Sequence, residues 1–223
     1  MTKQPNILST KTLLPIQKQE LVNANFNVIE EDFIETKTID FELSKVNDNL
    51  IFTSQNAVNS ILQHPKCEEL KAKNVFSIGM KTKDLLTENG FNVIAYTGYA
   101  ADLAEIISLI YSDESFTFFS GNLRRDVLPN TLQENGILLN EIKVYETKLT
   151  SKKVTEKLDG ILFFSPSGVE SYLKLNTIKD ETCFCIGETT AEALENKKVK
   201  TIVIADKPSV ENVIAEVVEY YKH

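Results

Sequence analysis

The chain has no tryptophan, two methionines, two histidines and three cysteines in 223 residues. So little histidine and cysteine leaves no ligand set for zinc. His64 lies in LQHPK, His223 is the last residue, and Cys183-x-Cys185 has no histidine beside it, so no metal is expected. The odd cysteine count, with Cys183 and Cys185 alternating with apolar neighbours in ETCFCIG, reads as reduced, buried thiols. No run of about 18 apolar residues occurs. Lys3 and Lys11 interrupt the N-terminal MTKQPNILSTKTLLP, so the expected protein is cytoplasmic and spans no membrane. Positive charge is also scarce: 24 Lys and Arg stand against 32 Asp and Glu, a net −8. No basic surface exists on the whole-chain scale to draw in a phosphate backbone, so nucleic acid is not an expected partner. GxSxG, GxxxxGK[ST] and GxGxxG are all missing, which removes the commonest hydrolase, nucleotide and dinucleotide fingerprints.

What remains is an ordinary globular composition, 42% apolar and 25% charged, in a chain long enough for two small domains. Its most informative feature is an internal repeat. NLIFTSQNAVNSIL around Ser54 matches GILFFSPSGVESYL around Ser165, 111 residues on. The same offset relates Val58 to Val169, Ser60 to Ser171, Leu62 to Leu173, Ser9 to Ser120, and IETK at Glu35–Lys37 to YETK at Glu146–Lys148. SIGMKTKDLL aligns with CIGETTAEAL at an offset of 108, from Gly79 to Gly187, which a short loop deletion explains.

Each half alternates strand and helix. Asn6–Ser9, Asn27–Ile34, Leu50–Thr53, Val75–Ile78 and Val93–Tyr96 are short apolar runs bounded by polar or turn residues, as buried parallel strands are. The second half repeats them at Phe116–Phe119, Ile142–Glu146, Gly160–Phe164, Cys183–Ile186 and Thr201–Ala205. Between them lie helical patterns such as Leu103, Ile106, Ile107 and Ile110. The expected fold class is α/β, with doubly wound parallel sheets.

Open α/β sheets bind ligands at the carboxyl ends of their strands, so the strand-to-helix turns are the candidate site. Thr53-Ser54-Gln55-Asn56, Ser120-Gly121-Asn122, Ser165-Pro166-Ser167-Gly168 and Gly187-Glu188-Thr189-Thr190 carry small hydroxyl or amide residues. Helix capping accounts for any one of them. Four together also suit a ligand with several anionic groups, which helix N-termini receive. The only two arginines, Arg124 and Arg125, follow the second of these turns, as Lys11 follows the first strand. They are either a solvated helix face or forks for carboxylates. Tyr145, at a strand end in KVYETK, is either a packed aromatic or a phenol that donates a proton or hydrogen bond.

The ordered set FTSQNAV, SIGMKT, GNLRRDVLPNTLQENGI, VYET, FFSPSGV and IGETTAEAL, spread over nearly the whole chain, resembles the uroporphyrinogen-III synthase family. The resemblance implies two α/β domains joined by a two-stranded linker, residues 1–36 with 148–223 and residues 37–147, with linker strands near 34–37 and 145–148. It implies a monomeric enzyme without cofactor, acting on hydroxymethylbilane in a cleft between the domains. Loss of the hydroxymethyl oxygen gives a cationic azafulvene, the substituted carbon of the terminal pyrrole attacks to form a spiro pyrrolenine, and that ring fragments and closes inverted. The family's phenol falls on Tyr145. Its binding turns fall on Thr53, Ser54, Gln55 and Asn56, on Thr82, on Ser165, Ser167 and Gly168, and on Thr189 and Thr190, with Lys11, Arg124 and Arg125 as basic partners. Departures are Asn56-Ala57 for a common Asn-Gly, Thr10-Lys11-Thr12 for a common Thr-Arg-Pro, and no proline near Asp32. A non-catalytic ligand-binding or sensor module on the same fold is the alternative. It would tolerate loss of the phenol, which this chain keeps.

Overall fold

The computed structural model describes residues 4–222. Lys3 and His223, which entered the sequence argument, lie outside them. The chain divides into two units, Met1–Glu35 with Lys148–His223 and Thr36–Thr147.

The first unit holds strands β1 (Asn6–Ser9), β2 (Asn27–Glu30), β9 (Gly160–Phe163), β10 (Thr182–Cys185) and β11 (Ile202–Ile204). They form a parallel sheet in the order β11-β10-β9-β1-β2. β1, β9 and β10 are buried almost throughout, so alternate residues supply two cores. Ile7, Leu162 and Phe184 face helices α1 (Pro15–Asn23) and α9 (Val210–Tyr220), which contribute Leu21, Val213, Ile214 and Val217. Leu8, Ile161, Phe163, Cys183 and Cys185 face α7 (Pro166–Leu173) and α8 (Glu188–Glu195), which contribute Val169, Tyr172 and Leu194.

The second unit holds β4 (Asn49–Phe52), β5 (Asn74–Ile78), β6 (Asn92–Thr97), β7 (Ser115–Gly121) and the twelve-residue β8 (Leu138–Leu149). Its sheet order is β3-β8-β7-β4-β5-β6, where β3 is Ile34–Thr38. On one face Leu50, Phe52, Val75 and Phe119 pack under α2 (Gln55–Leu62), α3 (Cys67–Leu70) and α4 (Met80–Glu88). On the other, Ile51, Phe76, Phe116 and Phe118 meet α5 (Ala100–Ile110) and α6 (Val127–Glu134).

The duplicated sequence explains why the two sheets match. β11-β10-β9-β1-β2 and β6-β5-β4-β7-β8 are the same order in equivalent strands. Leaving aside β3, each sheet takes two strands from the front of one copy and three from the back of the other. The hydroxyls of Ser60 and Ser171, 111 apart, are buried in both, bonded to Thr38 and Ser151 at 3.0 and 3.1 Å.

The expected single strand Asn27–Ile34 is corrected to two, β2 ending at Glu30 and β3 starting at Ile34. The cause lies in the side chains between and beside them. Asp32 accepts from Thr12 N–H at 2.7 Å and from its hydroxyl at 3.0 Å, and Glu30 accepts from Leu13 N–H at 2.8 Å. Phe33 is fully buried, and the chain leaves the ladder to seat it. β3 then runs antiparallel to β8. Partners step in opposite directions, from Thr150 N–H to Phe33 O at 3.0 Å, through the hydroxyls of Thr36 and Thr147 at 3.1 Å, to Ile39 N–H on Val144 O at 3.2 Å.

Phe184 is fully buried on β10, with edge contact to Tyr220 at 5.6 Å between ring centroids. Phe184→Ala should cost about 3–5 kcal/mol in urea unfolding. A loss below about 1 kcal/mol would show that this side of the sheet is not the packed core described.

Candidate active site at the strand carboxyl ends

Because the strands of each sheet other than β3 run parallel, their strand-to-helix turns collect at one end of that unit. In each sheet the connection direction reverses next to the strand that opens the unit's helical layer, between β1 and β9 and between β7 and β4. Those reversal points are where an α/β sheet opens a crevice.

In the first unit, Thr10 N–H and Oγ1 donate to Leu162 O at 3.1 and 2.7 Å, which ties the turn after β1 to β9. Ser165 caps α7 by accepting from Gly168 N–H at 3.1 Å, and its hydroxyl lies 3.0 Å from that of Ser167. A Cβ on Gly168 would come within 3.4 Å of Ser165 Oγ and 3.8 Å of Thr10 Oγ1, so the two turns are neighbours. Lys11 sits beside them, its ammonium 5.4 Å from the Phe164 ring centroid. Ser165, Ser167, Gly168 and Lys11 are therefore brought together. Thr189 and Thr190 follow on the next strand's turn, where Gly187 starts α8 with no side chain to cap it.

In the second unit, Thr53 and Ser54 are half-buried, Gln55 and Asn56 exposed, and Ser54 caps α2 through Asn56 N–H at 3.1 Å. Gly79 opens α4, also without a side-chain cap, at φ 85°, a left-handed backbone that favours glycine. The first two N–H groups of α4 and α8 thus have no side-chain cap, those of Thr82 and Thr190 donating to Gly79 O and Gly187 O at 3.1 and 3.0 Å, while α2, α7 and α9 have serine caps at Ser54, Ser165 and Ser209.

Two expectations about these turns need correction. Thr82 and Thr190 are 5% and 1% exposed, so their hydroxyls do not face a ligand. Both are the third residue of a glycine-capped helix, the position that turns back onto the sheet. The second residues, exposed Lys81 and half-buried Thr189, hold the outward positions.

Tyr145 lies on β8 opposite Gly121, beside a register shift in the β7–β8 ladder. Consecutive Val144 and Tyr145 both pack toward the Leu50–Phe52–Phe119 cluster, which a regular strand forbids and a bulge permits. The phenol ring lies against Gly121, and a Cβ there would overlap ring atoms and sit 2.8 Å from the hydroxyl.

Arg124 is not an open carboxylate fork. Its Nε and Nη2 donate to Glu141 Oε1 and Oε2 at 2.8 and 3.1 Å, and Nη1 pairs with Asp126. Arg125 is exposed. A cavity of about 500 Å³ is lined by Gly121, Asn122, Arg124, Asp126, Glu141 and Lys143. Burial raises the Glu141 carboxyl, but hydrogen bonds from Arg124 and from Ser120 at 2.6 Å, with the charges of Arg124 and Lys143, outweigh it and hold the group below its ordinary value of 4.5. Glu141 and Lys143 were not read from the sequence. Gly121 had a visible signal, being glycine where the repeat has Thr10.

Cys67, Cys183 and Cys185 are free and buried. Burial, with nearby Glu195, pushes the Cys185 thiol up to about 12, so it is inert at neutral pH. Among the described residues, no group of three or more His, Cys, Asp or Glu is placed to hold a metal, and no helix is long and apolar enough to cross a membrane.

Two doubly wound α/β units, each with polar turns gathered at its strand ends, define the class of fold. The family model described as uroporphyrinogen-III synthase HemD matches residues 17–215, and the chain belongs to that family. It is 24% identical to the uroporphyrinogen-III synthase of Saccharomyces cerevisiae over 267 aligned positions, covering 97% of this chain and 96% of the yeast protein. Among solved structures it resembles the uroporphyrinogen-III synthetase of Helicobacter pylori 26695, with a TM-score of 0.72, 23% identity, and 98% and 100% of the two chains covered. A mutant uroporphyrinogen III synthase of the extremely thermophilic bacterium Thermus thermophilus gives a TM-score of 0.72 at 14% identity, covering 98% and 99%. These structures share the fold.

Glu141 supplies a pH test. A carboxyl whose folded pKa is depressed contributes stability that is complete above its unfolded value and lost as pH falls through its folded value. Glu141→Gln should therefore lower Tm at pH 7, and the gap from the parent should close as pH falls from neutral to below the ordinary 4.5 of the carboxyl. A gap of constant size across that range would assign the loss to packing.

Proposed function

We infer that this chain closes linear hydroxymethylbilane into uroporphyrinogen III, inverting the terminal pyrrole ring and releasing water, in tetrapyrrole biosynthesis. The family match over residues 17–215 carries the reading. Tyr145, the phenol of the resemblance, is present, not at the expected strand end but inside β8, opposite Gly121 at the end of β7, which supports catalysis over a purely binding role.

The chemistry divides the labour. The hydroxymethyl C–O bond breaks, its electron pair leaves with oxygen, and a proton completes the departing water. Tyr145 donates a hydrogen bond to that oxygen. The azafulvene cation left behind is attacked by the substituted carbon of the terminal pyrrole, giving the spiro pyrrolenine. A carbon–carbon bond of that ring breaks and re-forms at the unsubstituted position, and loss of a proton restores the pyrrole. Since hydroxymethylbilane also closes unaided to the symmetric isomer, the protein's main task is to favour one transition state over another that is already accessible.

The substrate's acetate and propionate groups are received by the first-turn N–H groups of α4 and α8, by the turns Thr53–Asn56 and Ser165–Gly168, by Thr189, and by Lys11 and Arg125. Thr82 and Thr190 contribute through the backbone that their burial fixes. Arg124, held by Glu141 and Asp126, shapes the turn after β7. A single chain carries all these groups, and the working unit of this reading is a monomer. The free, buried cysteines suit a reducing compartment such as the cytoplasm.

Feeding hydroxymethylbilane and separating the oxidised products by chromatography should give predominantly isomer III. Isomer I alone, at the rate of the protein-free control, would overturn the reading. Tyr145→Phe should lower kcat roughly ten- to a hundredfold with Tm nearly unchanged; unaltered turnover would make Tyr145 a packing residue. Thr189→Asp places a carboxylate at the mouth of α8 and should raise KM several-fold while the fold stays intact, about 1 kcal/mol or less of helix stability being at stake. Parental KM in that variant would show that this turn does not meet the substrate's acids.

A further inference from the structure

We propose that Gly121 and Asn122 act as a pair of positioning residues for Tyr145, the glycine giving the phenol its seat and the asparagine locking the strand that carries it. The proposal rests on the reading of Tyr145 as the group that meets the leaving hydroxyl. Gly121 is present for space, since it is not among the glycines with positive φ. The hydroxyl end of the Tyr145 ring lies on its α-carbon, where a methyl group would displace the ring atoms that bear the oxygen.

The second member acts through the backbone. Asn122 Nδ2 donates to Thr147 O at 3.0 Å, and its Oδ1 accepts from Thr147 N–H at 2.7 Å. This two-point pair copies a ladder step just past the place where β7 ends. It also falls two residues beyond Tyr145, on the far side of the register shift. A bulge leaves local pairing open to slippage, and a side-chain amide clamped on the next backbone group removes that freedom.

The repeat isolates the device. At the matching positions of the first copy stand Thr10 for Gly121, Lys11 for Asn122 and Ile34 for Tyr145. That copy has no phenol, no gap for a ring and no amide to clamp the strand, so the pair occurs only where the hydroxyl needs a fixed place.

Gly121→Ala, Asn122→Ala and Tyr145→Phe, alone and combined in the full chain, test this by steady-state kinetics. Gly121→Ala should lower kcat about ten- to a hundredfold with KM within about twofold, since a shift of about 1 Å at a reacting group costs that much. Asn122→Ala, which alters an exposed side chain and keeps the test decisive if Gly121→Ala folds poorly, should lower kcat about three- to tenfold. In the Tyr145→Phe background both substitutions should lose most of their effect. With ring-¹³C-labelled tyrosine, the Tyr145 signal, identified by its loss in Tyr145→Phe, should move in Asn122→Ala while those of the other tyrosines stay. Additive losses in the double variants, an unmoved Tyr145 signal, or parental kcat in both single variants while Tyr145→Phe is slow would overturn the positioning role alone. Parental kcat in Tyr145→Phe would overturn the catalytic reading of the phenol, and this proposal with it.

Discussion

Everything in this molecule depends on two long-range strand pairs, β1 with β9 and β4 with β7. Each joins the front of one sequence copy to the back of the other. Without them β1 and β2 would be a two-stranded ribbon, which is marginal on its own. Closing the first pair brings Ile7 to Gly160 across more than half the chain, and the entropy of that closure is offset only when the cores on both faces of the sheet form together. Gly160 shows how tightly they do: a Cβ there would come within 2.9 Å of Ile7, 3.1 Å of Phe184 and 3.2 Å of the Tyr221 hydroxyl. The same pairs set the reversal points of both sheets, so the constraint that makes the units fold also gathers their turns.

Elements whose identity is written in local pattern were legible. The buried runs at Leu50–Thr53, Gly160–Phe164 and Cys183–Ile186 are parallel strands because both faces are covered, and the offset of 111 carried helix and turn positions from one half to the other. The break after Glu30 was not legible. It is made by Asp32 reaching Thr12, twenty residues away, and by the burial of Phe33. Arg124 and Thr82 show the same limit at the site. A basic or hydroxyl residue near a strand end suggests a ligand contact, but Glu141 closes on the first and the helix phase turns the second inward. Gly121 stood in plain view in a turn, and its use depends on a ring carried by the next strand.

An acidic chain that receives a polyacid needs locally favourable groups, and few of them are side-chain cations. Arg124 is largely occupied by Glu141 and Asp126. Lys11 and Lys81 lie at the turns, with the uncapped starts of α4 and α8. Oriented backbone N–H groups suit this work better than added lysines, since they offer direction as well as partial charge and do not repel one another through long flexible stems. Two departures from the family pattern are linked here. Thr12 stands where a proline is common and Asp32 lies where another proline is missing, and Thr12 N–H, which proline lacks, donates to the Asp32 carboxylate. The turn that a rigid ring would set is set by a hydrogen bond, which holds Lys11 between β1 and α1.

A duplicated scaffold acting on a chain of four similar pyrroles has to break its own symmetry once. The candidate binding elements are repeated: glycine-opened α4 and α8, serine-capped α2 and α7, each at the same strand of its sheet. Repeated acid side chains on the substrate call for nothing more individual than that. The ring to be inverted lies at one end only, and the copies differ at the phenol proposed to meet it. At the matching positions of the first copy stand Thr10, whose buried hydroxyl donates to Leu162 O, and Ile34, whereas Gly121 and Tyr145 put a phenol against a bare α-carbon beside a bulge in the strand. On the proposed reading, duplication supplies the grip, and divergence at Gly121 and Tyr145 supplies the asymmetry that a symmetric closure would lack.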